Sequence, residues 1–178
     1  MKRLLWLDLE MSGLDVDACR ILEVAAIVTD LQLNELDTYE AIVYQEPEVL
    51  EAMDEWCTRQ HGQSGLTAAV ANGTPEAEVE TALLGLVDTY WSKKERPVLA
   101  GNSIATDRDF IRRWMPRLAS RLHYRLLDVS SFKVILKSRH GIRFDKAGSH
   151  RALGDIRESI GELGHYLSFL DVARLPAK

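Results

Sequence analysis

The sequence predicts a mixed α/β fold in which five β-strands form one sheet flanked by α-helices. Apolar and β-branched runs at residues 3–9, 20–30 and 36–44, separated by short turns, indicate an antiparallel meander. Helical and strand patterns then alternate, which is typical of a mixed sheet covered by helices. The chain has 178 residues, 46% of them apolar, so we expect a single domain over residues 1–178.

The alternating part of the chain begins after Pro47, where the pattern becomes helical. A longer helix is predicted to start at Thr74 as its N-terminal cap, with Pro75 in its first position, and to end near Trp91. The elements predicted after it are a strand in RPVLAGN (96–102), a helix in ATDRDFIRRWM (105–115), a strand in YRLLDVS (124–130) and helices at 129–138 and 149–170.

The composition limits the functions that this chain can have. It carries 22 Lys and Arg against 27 Asp and Glu, a net charge of −5, so we expect any nucleic-acid substrate to be short. The cysteines, Cys19 and Cys57, lack the spacing of a disulfide framework or a zinc site. The apolar N-terminal run is interrupted at Asp8 and Glu10, so we expect a soluble, cytoplasmic protein without membrane association.

Two carboxylates lie where a buried strand is predicted. Side chains two positions apart on a strand share a face, so Asp8 and Glu10 point one way while Leu7 and Leu9 point the other. Buried anions need a cationic partner, and carboxylate oxygen is the ligand that Mg²⁺ and Mn²⁺ prefer. The alternative is that the strand ends at Leu7 and that both acids lie in a solvated loop.

A third acid is predicted to point inward from a helix. In the helix at 104–114, Asp107 shares the apolar face with Phe110, Ile111 and Trp114, at positions i, i+3, i+4 and i+7. The alternative is that Asp107 caps the start of this helix, as Asp often does after a loop.

The last helix presents a histidine and a fourth acid. Asp155 lies at the edge of its buried stripe, and His150 belongs to the first turn or the loop before it. An imidazole there can take a proton from water near neutral pH. A solvated surface histidine is the alternative. The buried stripe consists of Leu153, Ile156, Ile160, Leu163 and Leu167.

These residues form three short motifs: D-L-E at 8–10, N-S-I-x-x-D at 102–107 and H-x₄-D at 150–155. In this order they resemble the three motifs of the DEDDh exonuclease superfamily. The resemblance to its oligoribonuclease family extends over nearly the whole chain. It is carried by the segments DLEMSGLD, ILEVAAIVTD, MDEWCTRQHGQSGL, YRLLDVSSFK and HRALGDIRESI.

The resemblance implies an RNase H-like fold and a 3′-to-5′ exoribonuclease that degrades very short RNA to 5′-mononucleotides. It also implies that Asp8, Glu10, Asp107 and Asp155 hold two divalent cations, Mg²⁺ or Mn²⁺, and that His150 is the general base. Four acids suit two dications because concentrated negative charge is needed to hold them close together. The expected substrate is single-stranded RNA of about two to five nucleotides, in keeping with the acidic chain.

Substrate-binding residues are also implied by the resemblance. Leu14 is similar to a residue that wedges against the bases, and Trp56 to an aromatic that stacks on one. Tyr124 is similar to a residue that reaches the site from a partner subunit, which implies a homodimer. The residues that match the family's 5′-phosphate cap are Ser103, His61, Arg125 and Ser130.

Two other functions are alternatives. One is a related exonuclease that acts on DNA or on longer RNA, which would be expected to show a basic approach surface. The other is a non-catalytic binding module in which the acids hold a structural metal ion. Replacing His150 by Ala separates enzyme from module, because only an enzyme would lose turnover while keeping its metal.

Overall fold

The structure, a computed structural model, describes residues 2–145 and 151–171. Its strands form a five-stranded sheet in the order β3-β2-β1-β4-β5, which confirms the predicted mixed α/β class. The first three strands are antiparallel, and β4 and β5 run parallel to β1. The strands are β1 (Arg3–Met11), β2 (Ile21–Asp30), β3 (Glu35–Ile42), β4 (Leu99–Gly101) and β5 (Leu126–Asp128).

Helices cover both faces of this sheet. Among the described residues, no helix is both long and apolar enough to cross a membrane. The helices are α1 (Pro47–Glu51), α2 (Glu55–Gln63), α3 (Leu66–Val70), α4 (Glu76–Tyr90), α5 (Ala105–Trp114), α6 (Pro116–Arg121), α7 (Val129–His140) and α8 (Ala152–Leu167).

Side-chain alternation along β1 places its apolar residues in two separate core clusters. Leu5, Leu7 and Leu9 pack with α4, α5 and α6 on one face of the sheet. Leu4 and Trp6 pack with α8 and β2 on the other face. Between them these two clusters fix which side of β1 faces which helix.

The predicted start of the long helix was wrong. The helix begins at Glu76, with Pro75 as the capping residue, and no side chain caps it. Thr74 is instead held extended, because its backbone N–H donates to Ile42 (2.8 Å) and its carbonyl accepts from Tyr44 (2.9 Å). A contact between distant segments therefore overrides the local capping preference of Thr74.

Several element boundaries also differ from the prediction. β1 continues to Met11, so the alternative in which it ends at Leu7 is wrong. Helix α6, which was not predicted, begins at Pro116, because Met115 leaves the helical conformation (φ −128°, ψ 61°) and proline is tolerated in a first turn. The residues predicted to start the last helix, 149–150, lie outside the described residues.

Candidate active site

The site is built where β1 changes from apolar to acidic on one face. Asp8 and Glu10 follow Leu4 and Trp6 on the face that α8 covers, as the alternation predicted. In the antiparallel pairing with β2, Asp8 lies opposite Ala25, whose small side chain leaves room beside the carboxylate.

Helix α8 brings a third carboxylate to this place. Asp155 lies in its first turn. Carboxylate oxygens of Asp8, Glu10 and Asp155 all lie within 4.8 Å of one another. Residues distant in sequence thus form one compact acidic cluster, and we use that name below for these three side chains.

Asp107 lies next to the cluster, held against the backbone of β1. Its side chain is 6% exposed, and its Oδ1 accepts a hydrogen bond from the N–H of Leu9 at 3.0 Å. Strand β4 pairs with β1 at Leu5 and Trp6, so it has already ended where the N–H of Leu9 needs an acceptor. The inward orientation was predicted correctly, and the capping alternative is wrong because no side chain caps α5.

Burial makes these carboxyls difficult to ionise. The pKa of Glu10 is raised to about 7, mainly by burial and then by the nearby charges of Asp155, Glu23 and Asp107. The pKa of Asp107 is also raised to about 7, mainly by burial. A bound cation would reverse both effects, because it stabilises the ionised form.

The donor set fits a divalent metal ion. The acidic cluster offers hard oxygen ligands from three separate side chains, which suit Mg²⁺ or Mn²⁺ better than they suit metals that prefer sulfur. Burial, and after it the neighbouring acids, raise the pKa of Glu10, and a bound cation would offset both effects. We conclude that this part of the sheet is suited to divalent metal.

A cleft of about 460 Å³ opens beside Glu10. Leu14 and Trp56 line it and are largely exposed, at 81% and 56%. His61 also lines it but is only 2% exposed; its Nε2 lies 2.9 Å from the carbonyl oxygen of Met11 and its Nδ1 lies 3.9 Å from Glu10. The structure thus brings Leu14, Trp56 and His61 together at the acidic end of β1.

Ser103 and Ser130 meet at the same edge of the sheet. They follow β4 and β5, whose carboxyl ends lie side by side because Gly101 pairs with Asp128. The N–H of Ser103 donates to Oγ of Ser130 (2.9 Å) and to Oδ1 of Asp128 (3.1 Å). These bonds hold Ser103 in the left-handed region (φ 51°), a strained conformation that is common at functional sites.

Tyr124 and Arg125 lie at the opposite end of the parallel strands. They precede β5, whose first residue, Leu126, pairs with Leu99 of β4. Leu99 in turn pairs with Leu5 of β1. Asp8 lies three residues further along β1, about 10 Å at the usual rise of a strand. The guanidinium of Arg125 lies 5.2 Å from the ring of Tyr124, which is 72% exposed. Within the chain these two residues are therefore separated from Ser103 and Ser130.

The sequence reasoning missed a buried acid beside the cluster. Glu23 pairs with Glu10 across β1 and β2, so both side chains share a face, and Glu23 is 3% exposed. It accepts hydrogen bonds from Arg151, the residue after His150. An acid within the apolar run ILEVAAIV was the available signal. His150 itself lies outside the described residues.

A second missed acid, Glu162 on α8, is fully buried. Its carboxylate accepts hydrogen bonds from Nδ2 of Asn102 (2.9 Å) and from the hydroxyl of Tyr166 (2.8 Å). The carbonyl oxygen of the Asn102 side chain accepts from Ser130 at 3.1 Å. A chain of hydrogen bonds therefore runs from the core to the pair of serines at the sheet edge.

The fold is shared with solved exonucleases. Exonuclease I from Methylocaldum szegediense aligns with a TM-score of 0.71 at 21% identity, over 99% of this chain and 41% of that chain. The zinc-bound complex of E. coli exonuclease I with single-stranded DNA aligns with a TM-score of 0.73 at 16% identity, again over 99% and 41%. These similarities confirm the predicted RNase H-like fold, and the chain spans less than half the length of either protein.

Sequence comparison identifies the family more specifically than the similarity of fold does. Residues 5–163 match the exonuclease family RNase_T. The oligoribonuclease of Halorhodospira halophila is 44% identical over 181 residues, covering 98% of this chain and 96% of that protein. The oligoribonuclease of Marinobacter nauticus is 47% identical and covers 92% of this chain and 93% of that protein. That of Pseudomonas aeruginosa PAO1 is 48% identical and covers 93% of this chain and 94% of that protein. The chain therefore belongs to the exonuclease family and, within it, to the oligoribonucleases, which makes it a hydrolytic exoribonuclease.

Proposed function

We propose that this chain is one exonuclease domain that removes 5′-mononucleotides from the 3′ end of very short RNA. The observation that carries the proposal is the convergence of Asp8, Glu10 and Asp155 within 4.8 Å, with the buried carboxyl of Asp107 beside them. Its net charge of −5 supports a short substrate, because few phosphates need to be neutralised.

Asp8, Glu10, Asp107 and Asp155 would hold two divalent cations, Mg²⁺ or Mn²⁺. Bound there, the ions would activate water and stabilise the leaving oxygen. Asp107 contributes from a fixed position, because its Oδ1 is tethered to the backbone of β1. The four acids come from β1, α5 and α8, so the fold is what brings the ligand set together.

His150 is the general base in this proposal. It accepts a proton from the attacking water. The water oxygen forms a bond to phosphorus while the bond to the 3′ oxygen of the preceding ribose breaks, which releases a 5′-mononucleotide. The place of His150 in the sequence, directly before Arg151 and α8, supports the role of general base because α8 carries Asp155.

The cleft beside Glu10 takes the bases. Leu14 and Trp56 are exposed there, and an aromatic ring stacks on any base without regard to its identity. The resemblance assigned His61 to the 5′-phosphate cap, but His61 lines the same cleft against Glu10, so we place it next to the scissile end of the substrate.

Ser103 and Ser130 bind the 5′ phosphate in this proposal, and Arg125 completes the cap from a second subunit. The position of Arg125 and Tyr124 at the opposite end of the parallel strands supports a contribution from a partner subunit. In a homodimer, Tyr124 and Arg125 of each subunit would reach the cleft of the other subunit. Arginine suits a terminal phosphate dianion better than an internal diester, so the cap would favour the shortest RNAs. We also expect the enzyme to act in the cytoplasm.

The test is a chain-length series. Purified protein with Mg²⁺ is incubated with 5′-phosphorylated RNAs of about two to seven nucleotides, and each length is followed over time. We expect the shortest RNA to disappear fastest. Equal rates at every length would contradict the phosphate cap. His150→Ala is the matched control, which should abolish turnover while Mn²⁺ binding persists.

A further inference from the structure

Two arginine–glutamate ion pairs fasten α8 to the sheet. Arg151, the residue before the helix, donates from Nη2 to Oε1 of Glu23 at 2.7 Å and from Nε to both carboxylate oxygens at 3.0 and 3.1 Å. Arg157 makes a similar pair with Glu35, with N–O distances of 3.1 and 3.2 Å. The chain thus carries an inner pair at the start of α8 and an outer pair further along it.

The two pairs differ in burial and in their neighbours. The side chain of Glu23 is 3% exposed, whereas that of Glu35 is 37% exposed. Glu23 lies directly across from Glu10, and its Oε2 also lies 3.5 Å from the N–H of Ala152. The inner pair therefore joins the first residue of α8 to the strand beside the acidic cluster.

The inner pair also lies one helical turn from Asp155. The N–H of Asp155 donates to the carbonyl oxygen of Arg151 at 3.1 Å, the first hydrogen bond of the helix. Asp155 must be held near two other carboxylates that repel it, and the contact from Arg151 to the sheet opposes this repulsion. Arg151 also neutralises Glu23, which would otherwise add a further buried anion beside Glu10.

We propose that Arg151 and Glu23 are positioning residues that hold Asp155 in the acidic cluster, an inference that rests on the proposed function of that cluster. In this role the two residues orient Asp155 and do not contact the reacting atoms. Residues that orient metal ligands affect metal affinity or activity by about 10- to 100-fold when they are replaced. The outer pair is more exposed and joins α8 to β3 at the edge of the sheet, not to the position opposite Glu10, so it should have no such effect.

The experiment compares Arg151→Gln with Arg157→Gln, each of which removes one guanidinium from the same helix. Mn²⁺ affinity is measured by titration followed by electron paramagnetic resonance. We expect about tenfold weaker binding for Arg151→Gln and a change below about twofold for Arg157→Gln. Arg151→Lys, which keeps the charge but loses the two-pronged contact, should recover part of the affinity. Equal effects of the two Gln variants would overturn the proposal.

Hydrogen exchange gives a readout that does not depend on catalysis. In the metal-free protein, Arg151→Gln should speed amide exchange in the first turns of α8, around Asp155, and Arg157→Gln should leave these turns as in wild type. Glu23→Gln alone removes the same contact from the sheet side, so it should also speed exchange in these turns. Unchanged exchange in Arg151→Gln would overturn the positioning role, whereas a wild type that binds Mn²⁺ but hydrolyses no RNA would contradict only the proposed function.

Discussion

The two faces of β1 use the same alternation for opposite purposes. On one face, Leu5, Leu7 and Leu9 are all buried in the core beneath α4, α5 and α6. On the other face, the apolar positions give way to Asp8 and Glu10 under α8. One face therefore stabilises the fold through apolar contacts up to Leu9. The other face has carboxylates instead of apolar side chains at its last positions, which concentrates negative charge there.

The largest effect that tests this comparison is expected on the acidic face. Asp8→Asn should lower turnover by about 10²- to 10³-fold, the order found when a group that stabilises the transition state is removed. The variant should fold, and Mg²⁺ should raise its Tm less than we expect it to raise that of wild type. Turnover is measured on a 5′-phosphorylated dinucleotide. A loss below tenfold would mean that Asp8 is not a ligand.

The apolar face should give the reverse result. Leu7 is 1% exposed, so Leu7→Ala should lower the free energy of unfolding by about 2 to 5 kcal/mol, through lost burial and a residual cavity. Below its Tm, the folded variant should keep turnover within a few-fold of wild type. Urea unfolding and the dinucleotide assay check the two parts. If folded Leu7→Ala were inactive, the stabilising role of one face of β1 would not be separable from the catalytic role of the other.

Exposed aromatic side chains extend the comparison to the cleft beside the acidic face. Trp56 and Phe169 are similarly exposed, at 56% and 52%, but only Trp56 lines the cleft that holds Glu10. Trp56→Ala should raise KM by about 5- to 100-fold with little change in kcat, because stacking contributes about 1 to 3 kcal/mol per base. Phe169→Ala is the control, and an equal rise in its KM would argue against the cleft as the base-binding site.

The smallest expected effect concerns pH. The pKa values of Glu10 and Asp107 are raised to about 7 in the folded protein from ordinary values of 4.5 and 3.8, mainly by burial. The folded state then binds more protons than the unfolded chain between about pH 4 and 7, so the stability of the metal-free protein falls as the pH rises through this range.

Cation binding has the opposite dependence, because it requires the ionised carboxylates. We expect Mn²⁺ affinity to be about tenfold lower at pH 6 than at pH 8 for each of these two carboxyls that must lose its proton. Titrations at the two pH values check this, and Leu7→Ala, altered on the other face, should show the same ratio. An affinity independent of pH would mean that these carboxyls are ionised without the metal.

The local parts of the site could be predicted from sequence, and the parts that depend on distant contacts could not. Asp8 and Glu10 share a face because a strand alternates, and Asp107 points inward because its helix is amphipathic. Thr74 was misassigned because its partners, Ile42 and Tyr44, lie thirty residues away.

The sequence by itself determined the strand and helix periodicities, the order of the acidic motifs and the family to which they belong. Only the tertiary structure decided that Asp155 meets β1, that Glu23 is matched by Arg151, and that Arg125 lies away from Ser103. Periodicity is a property of neighbouring residues, so it can be read along the chain. Convergence depends on how strands pair and helices pack, which is settled only when the whole sheet has formed.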